Sequence, residues 1–381
     1  MIENIIQSTI ALRRKIHQNP ELSGQEKQTS ALVQRELTKY GIKFKAGYSG
    51  YGVVAIIKGR NPEKRLVALR ADMDALPINE ETGLQYASRN KGVMHACGHD
   101  VHTACLLGAA RLLNESRSEW EGRVLLVFQP SEEKYGGGAD VMLKEKALQA
   151  FSRKPPERMY ALHVTPELDA GTLGFRARQY MAATDEIHIT VRGKGGHAAL
   201  INERTDSVAA AAKLIATLQK YVTQRSGKRS VLAFGRFIAD GQTNIIPDTV
   251  EIAGTLRTFT KASRKTFHQA IYTTANKIAF KYGVGIDVRI DIGYPALFNN
   301  DKATSIARSI AASLVGEDKV VRLNLRTTAE DFAFFAEKIP SCFFRLGTGK
   351  SEGGLHSSKF TIDEKAIETG VRMMAELGMR G

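Results

Sequence analysis

Cysteine is scarce in this chain of 381 residues, with Cys97, Cys105 and Cys342 as the whole supply. So odd and thin a set does not suit a disulfide framework and fits a reducing compartment, which leaves any conspicuous cysteine to be a ligand, a nucleophile or core filler. Long apolar runs are missing too. No stretch approaches the roughly 18 apolar residues needed to cross a bilayer, and the longest small-apolar run, SVAAAAKLIATL, is broken by Lys213. The opening residues, MIENIIQSTIALRRKIHQNPELS, lack the basic segment and apolar core of a secretory signal. They carry a helical stripe instead, Ile2, Ile5, Leu12 and Ile16 with Thr9 as its one polar member. The expectation is a soluble cytoplasmic protein. Internal repeats and low-complexity linkers are absent. So is any dense basic stripe with interleaved aromatics: the net charge of +14 comes from scattered residues such as KGRNPEKR and FRAR. That distribution reads as a solvated basic surface rather than a nucleic-acid interface, with a field favouring acidic substrates as the weaker alternative.

What is present is ordinary for a folded protein, 43% hydrophobic and 25% charged residues. The length exceeds what one core usually serves, so two domains are expected. GYGVVAIIKG and KRLVALRADMDA read as strands around a turn at RNPEK, and TACLLGAARLLNES has a helical period. GRVLLVFQPSEE is a buried strand running into two carboxylates, and RMYALHVT a strand carrying a histidine. Strands alternating with helices indicate an α/β layer fold with a mostly parallel sheet and functional groups at strand ends. Near Gln179 the character changes to strand, helix, two strands, helix, strand, the order of a ferredoxin-like α+β unit. The expected division is therefore a catalytic domain over residues 1–179 and 296–381 with a lid domain inserted at 180–295, hinged near Arg178 and Pro295.

The stretch VMHACGHDVHTA concentrates three of the nine histidines and Cys97 in twelve residues. Cys97 and His99 can reach a common point from one turn, and thiolate with imidazole suits zinc, and also cobalt, nickel or manganese. Glu132 and Glu133 follow a buried strand, where two adjacent like charges are costly unless a cation compensates. His163 and His356, taken singly, read as a strand-end histidine and a residue of a Gly-rich turn. Together Cys97, His99, Glu133, His163 and His356 form an inventory large enough for two metals sharing the thiolate, with Glu132 left over.

The motifs LRRKIHQNPELS, ALRADMDALPI, MHACGHDVHTA, FQPSEE, ALHV, GKGGHAA, NIIPDTVEIAGTLRTF, AEDFAFF and LHSSKF occur in this order across nearly the whole chain. The series closely resembles the aminoacylase and carboxypeptidase superfamily of co-catalytic metallohydrolases. Within it, the subgroup of hippurate hydrolases, auxin-conjugate amidohydrolases and N-acetyldiaminopimelate deacetylases is the best match. The resemblance implies that Cys97, His99, Glu133, His163 and His356 are metal ligands, that Glu132 is the general acid/base, and that Asp74 holds a ligand from behind. In the lid, His197 matches the oxyanion-stabilising histidine, and Asn244 and Arg257 match positions that hold a substrate carboxylate. Relatives usually follow GGHAA with one residue and then Pro-His, where this chain has Ile201 and Asn202. The implied activity is hydrolysis of the amide bond of N-acetyl, N-benzoyl or aryl-acetyl amino acids with two divalent ions, Zn, Mn, Co or Ni. The partner is a small molecule, with neither nucleic acid nor membrane, and assembly is expected as a homodimer or homotetramer through the lid. A carboxypeptidase or dipeptidase with the same metal centre is the rival reading. A non-catalytic basic binding protein ranks lower, because the ligand set and Glu132 are intact.

Overall fold

A computed structural model of the chain describes residues 2–227 and 229–381. The chain forms two compact units: one holds the residues up to Arg178, Phe298–Asn324 and Asp331–Gly381, the other Gln179–Leu297 and Leu325–Glu330. That last short segment lies outside the span expected from sequence pattern. Backbone hydrogen bonds tie it to the second unit, the Ala182 amide donating to the carbonyls of Arg326 and Thr328, and such bonds leave no periodic signature in a sequence.

The first unit is built on an eight-stranded sheet. Its order is Lys43–Tyr48, Gly52–Lys58, Arg123–Gln129, Leu66–Asp72, Arg158–Thr165, Ser341–Gly347, Leu173–Phe175, Val320–Arg322. The four central strands, from Arg123–Gln129 to Ser341–Gly347, pair in parallel. The two strands before them pair antiparallel, as does Leu173–Phe175 with Ser341–Gly347. Every residue of Leu66–Asp72 and of Ser341–Gly347 is buried, as expected of parallel strands covered on both faces. Helices Ile2–His17, His99–Glu115 and Ala366–Arg380 pack against one another and share one apolar core with the sheet. The stripe foreseen on the first helix is partly right: Ile5, Thr9 and Ile16 are buried, and so are Arg13 and His17, which a hydrophobic pattern does not mark.

The second unit is an antiparallel sheet ordered Val231–Ala239, Thr249–Thr258, Ala183–Arg192, Gly285–Ile292. Ile187, Ile189 and Val191, alternate residues of the third strand in that order, pack with Leu214 and Leu218 of helix Ser207–Ser226 and with Phe267 and Ile271 of helix Lys261–Tyr282. The connection order and strand order are those of a ferredoxin-like fold. Asp185, buried near one end of this sheet, accepts hydrogen bonds from Arg264 Nε (2.9 Å) and His268 Nε2 (2.7 Å), which pins the second helix to the strand. Among the described residues no helix is long and apolar enough to cross a membrane.

Candidate metal centre

Helix His99–Glu115 begins at the second histidine of the clustered motif, and Gly98 caps it in the left-handed region with φ 81°. A Cβ on Gly98 would lie 2.4 Å from Val164 Cγ2. The glycine thus lets the chain turn sharply against the strand Arg158–Thr165, which brings Cys97 Sγ to 3.5 Å from His163 Nε2. His163 Nδ1 donates to the Val164 carbonyl at 2.7 Å. A carbonyl can only accept, so Nδ1 carries the proton and Nε2 turns a lone pair toward the thiol. His356, in the left-handed region at φ 65°, is anchored by its own amide on the Ala96 carbonyl (2.8 Å) and sets Nε2 3.2 Å from Glu133 Oε1.

Three overlapping donor groups result: Cys97, His99 and His163; Cys97, Glu133 and His356; His99, Glu132 and Glu133. Within each, the ligand atoms lie within 4.8 Å of one another. Two donors about 2.1 Å from a zinc-like ion at a tetrahedral angle are roughly 3.4 Å apart, so this spacing suits metal ligation. His99 Nε2 and Glu133 Oε1 stand 3.8 Å apart, both buried and both without a hydrogen-bond partner. Buried polar atoms seldom stay unpaired, and a cation between these two would satisfy both. Electrostatics agree. Burial opposes a charged His99, yet Asp72, Cys97 and Asp74 hold its pKa well above the ordinary value. The nearby Cys97 and Glu133 raise His356 to about 10. Burial pushes the Cys97 thiol up, with Glu133 adding to it. The cluster is thus rich in negative charge and takes up protons where cations would otherwise sit. The donor set fits divalent metal.

Behind the donors stands a frame of buried polar residues. Asp74 accepts from His99 Nδ1 (3.2 Å), from Ser23 Oγ (2.6 Å) and from the Glu133 amide (2.9 Å), so one carboxylate orients two donors. Sequence reasoning passed over five further members of this frame, His102, Asp72, Arg70, Asp331 and Glu26. His102 Nδ1 donates to Asp72 Oδ1 (2.5 Å) while its Nε2 accepts from the Val164 amide (2.9 Å), which leaves no lone pair for a metal. Asp72 also accepts from buried Arg70 (2.6 Å), whose other nitrogens donate to Gln129 (2.8 Å) and Asp331 (3.0 Å). Glu26, wholly buried, accepts from the Ser131 amide at 2.8 Å, and Ser131 is itself left-handed at φ 58°. Glu26 therefore fixes the turn that presents Glu132, itself 7% exposed. His102, Asp72 and Asp331 lay inside motifs already singled out. Glu26 carried no signal of its own. A second buried group fastens the first helix to the start of helix His99–Glu115: Asp100 accepts from Arg13 Nε (2.7 Å) and His17 Nδ1 (2.8 Å).

The remaining positions lie in the second unit. His197 pairs with Ile245 across a two-residue ladder, and the Ala198 amide donates to the Asn244 carbonyl (2.9 Å), so His197 and Asn244 are neighbours. Both sit beyond the end of the four-stranded sheet where Thr249 faces Arg192, since Gly193 and Gly195 donate to Asp248. Arg257, half-buried, faces Thr184 at the other end of the same strand pair. At about 3.3 Å per residue, eight residues of strand separate the two ends by roughly 26 Å. The fold does not bring the three together, and a small substrate in one protomer meets one end or the other. Ile201 is 69% exposed, and Asn202 beside it is exposed too.

The sequence pattern of peptidase family M20/M25/M40 matches residues 68–380. An N-acetyl-L-cysteine deacetylase of Bacillus subtilis is 38% identical over 94% of this chain and 84% of its own length. An IAA-amino acid hydrolase of Arabidopsis thaliana is 34% identical over 97% of this chain and 85% of its own. A crystal structure of a Bacillus subtilis protein, described as a dinuclear metal binding peptidase from the M20 family, superposes with a TM-score of 0.87 at 34% identity, covering 99% of this chain and 98% of that one. With the family pattern spanning most of its length and these relatives aligned almost end to end, the chain belongs to peptidase family M20/M25/M40.

Proposed function

We propose that the protein hydrolyses the amide bond of N-acyl amino acids, releasing a carboxylate and a free amino acid, with two divalent ions held by Cys97, His99, Glu133, His163 and His356. The observation that carries this is the set of overlapping donor groups sharing Cys97 and His99, with orphaned atoms facing one another inside it. Divalent ions there would supply Lewis acidity, polarising the acyl carbonyl and acidifying water. Zinc, manganese, cobalt and nickel all suit this mixed set of thiolate, imidazole and carboxylate donors.

The other roles belong to the chain. Glu132, in an enclosed position beside the donors, takes the proton of the attacking water and returns it to the departing nitrogen. Asp74 keeps His99 and the Glu133 backbone in place through these changes of charge. Arg257 offers a planar fork to the substrate carboxylate. His197 donates to the oxygen that gains charge as the carbonyl is attacked, with Asn244 beside it completing the polar contact. Because His197 and Arg257 occupy opposite ends of one sheet, the proposed dimer or tetramer through the lid gains a role. It allows His197 of one copy and Arg257 of another to serve the same substrate.

A carboxypeptidase reading of the same centre has support in a Saccharolobus solfataricus relative named thermostable carboxypeptidase 2, 34% identical over 97% of this chain. A panel of N-acetyl, N-benzoyl and indoleacetyl amino acids beside unblocked dipeptides decides between them. Faster turnover of the acyl compounds is expected. Turnover of dipeptides alone would overturn the acyl-amide assignment.

A further inference from the structure

Apart from the candidate metal centre, the first unit holds a cavity of about 470 Å³ that no step of the proposed reaction uses. Arg176, Arg178, Arg308 and Arg322 all line it, with Asp301 as the one acidic residue and Ser305 among the polar ones. Four segments meet there: the end of strand Leu173–Phe175, the residues following it, helix Asp301–Val315 and strand Val320–Arg322. The strands pair in parallel with Arg322 opposite Phe175, which sets Arg176 and Arg322 beside one another. Arg176 donates through one nitrogen to the Leu323 carbonyl (2.9 Å), which anchors it at the rim. Arg178, held at φ 65°, bonds Asp301 Oδ2 at 3.2 Å. Arg308 and Arg322 are exposed and make no ion pair or side-chain hydrogen bond among the described residues.

With Asp301 answering Arg178, Arg308 and Arg322 still leave an excess of two positive charges around one concavity. A solvated basic surface spreads such charges apart. Gathering them in a hollow repels unless an anion is taken up. A single carboxylate would neutralise one of the two. A phosphate ester brings close to two charges and three acceptor oxygens that match the guanidinium fork, and the hollow has room for the group that carries the phosphate. We propose that this cavity is a binding site for a phosphomonoester, separate from the metal centre and independent of the proposed hydrolysis.

The test titrates metal-loaded, full-length protein calorimetrically with ribose 5-phosphate, adenosine 5′-monophosphate, inorganic phosphate and adenosine. The same titrations are run on an Arg308→Ala/Arg322→Ala variant and an Arg308→Lys/Arg322→Lys variant. The two arginines are exposed, so folding should survive, and thermal unfolding and metal content check that it has. Phosphate-bearing probes should bind the wild type and adenosine should not. The alanine variant should bind them about tenfold or more weakly, and the lysine variant in between, because lysine keeps charge without the fork. Affinity should also fall as salt rises. Tighter binding of the two esters than of inorganic phosphate points to an organic ligand; equal affinity for all three identifies the free anion as the ligand and overturns the ester assignment. Equal affinity in wild type and alanine variant would place binding elsewhere, the metal centre included, and would overturn the proposal, as would the absence of binding to wild type. None of these outcomes depends on amide hydrolysis.

Discussion

Glu132 and Glu133 are adjacent in sequence and should fail in different ways. Glu132→Gln removes a proton acceptor but none of the five proposed ligands, so turnover should drop by about 10²–10⁴ with metal content near normal. Glu133 Oε1, itself buried, stands 3.2 Å from His356 Nε2 and 3.8 Å from His99 Nε2. Glu133→Gln should therefore lose metal first and activity as a consequence. Metal analysis and rate measured on the same preparations separate the two, and similar metal and activity in both variants would show that the roles are wrongly divided. Glu26 belongs to this scale as well. It accepts from both the amide and the hydroxyl of Ser131, and it governs Glu132 through the strained turn between them. Nothing in a lone sequence distinguishes such a carboxylate from a surface one, because its function depends on what is folded against it.

At the scale of elements, the turn before helix His99–Glu115 makes a direct demand on sequence. Gly98→Ala adds a methyl group 2.4 Å from Val164 Cγ2 in a left-handed backbone. It should cost about 1–2 kcal/mol in the backbone alone, and more from the clash, and should weaken metal retention because Cys97 and His163 move apart. Chelator competition on folded protein measures this; unchanged retention would mean that the turn does not position the thiol. In the lid, burial works to raise the pKa of Asp185, and hydrogen bonds from His268 and Arg264 outweigh it and bring the value down. A carboxylate depressed in the folded state contributes stability above its unfolded pKa of about 3.9, and the contribution fades as pH falls through the lower folded value. Asp185→Asn should therefore unfold at a lower temperature than wild type at pH 7, with the gap closing toward pH 2. A gap independent of pH would show that the charge is not what matters. The elements most readable in sequence were those with one clear period: the buried central strands, the alternating strands of the lid, and its two helices. The short strands Leu173–Phe175 and Val320–Arg322 and the segment Leu325–Glu330 were not legible, since three to six residues give too little pattern and their positions follow from pairing at a distance. The donor residues were legible because thiol, imidazole and paired carboxylates are rare enough to stand out. Their buried supports Arg70, Asp72 and Asp331 were not, because a charged residue reads as surface until its partners are known.

At the scale of the whole molecule, the separation of His197 from Arg257 makes a claim about assembly. Each single variant, His197→Ala or Arg257→Ala, should be weakly active alone. Co-expressed, they should recover about a quarter of wild-type activity if the copies pair at random and one site of each mixed dimer keeps both residues. No recovery, in an assembly shown to mix, would mean that the two positions do not share a substrate across copies. Arg257→Ala should also lose far more rate on an N-acetyl amino acid than on its carboxamide, because only the former offers a carboxylate to the fork. All of these expectations presuppose that the clustered donors hold a pair of ions. Elemental analysis of purified, active protein tests that most directly. The account predicts close to two divalent transition-metal ions per chain, lost together with activity on chelation and regained with it. Full activity in protein that carries no such metal would contradict it.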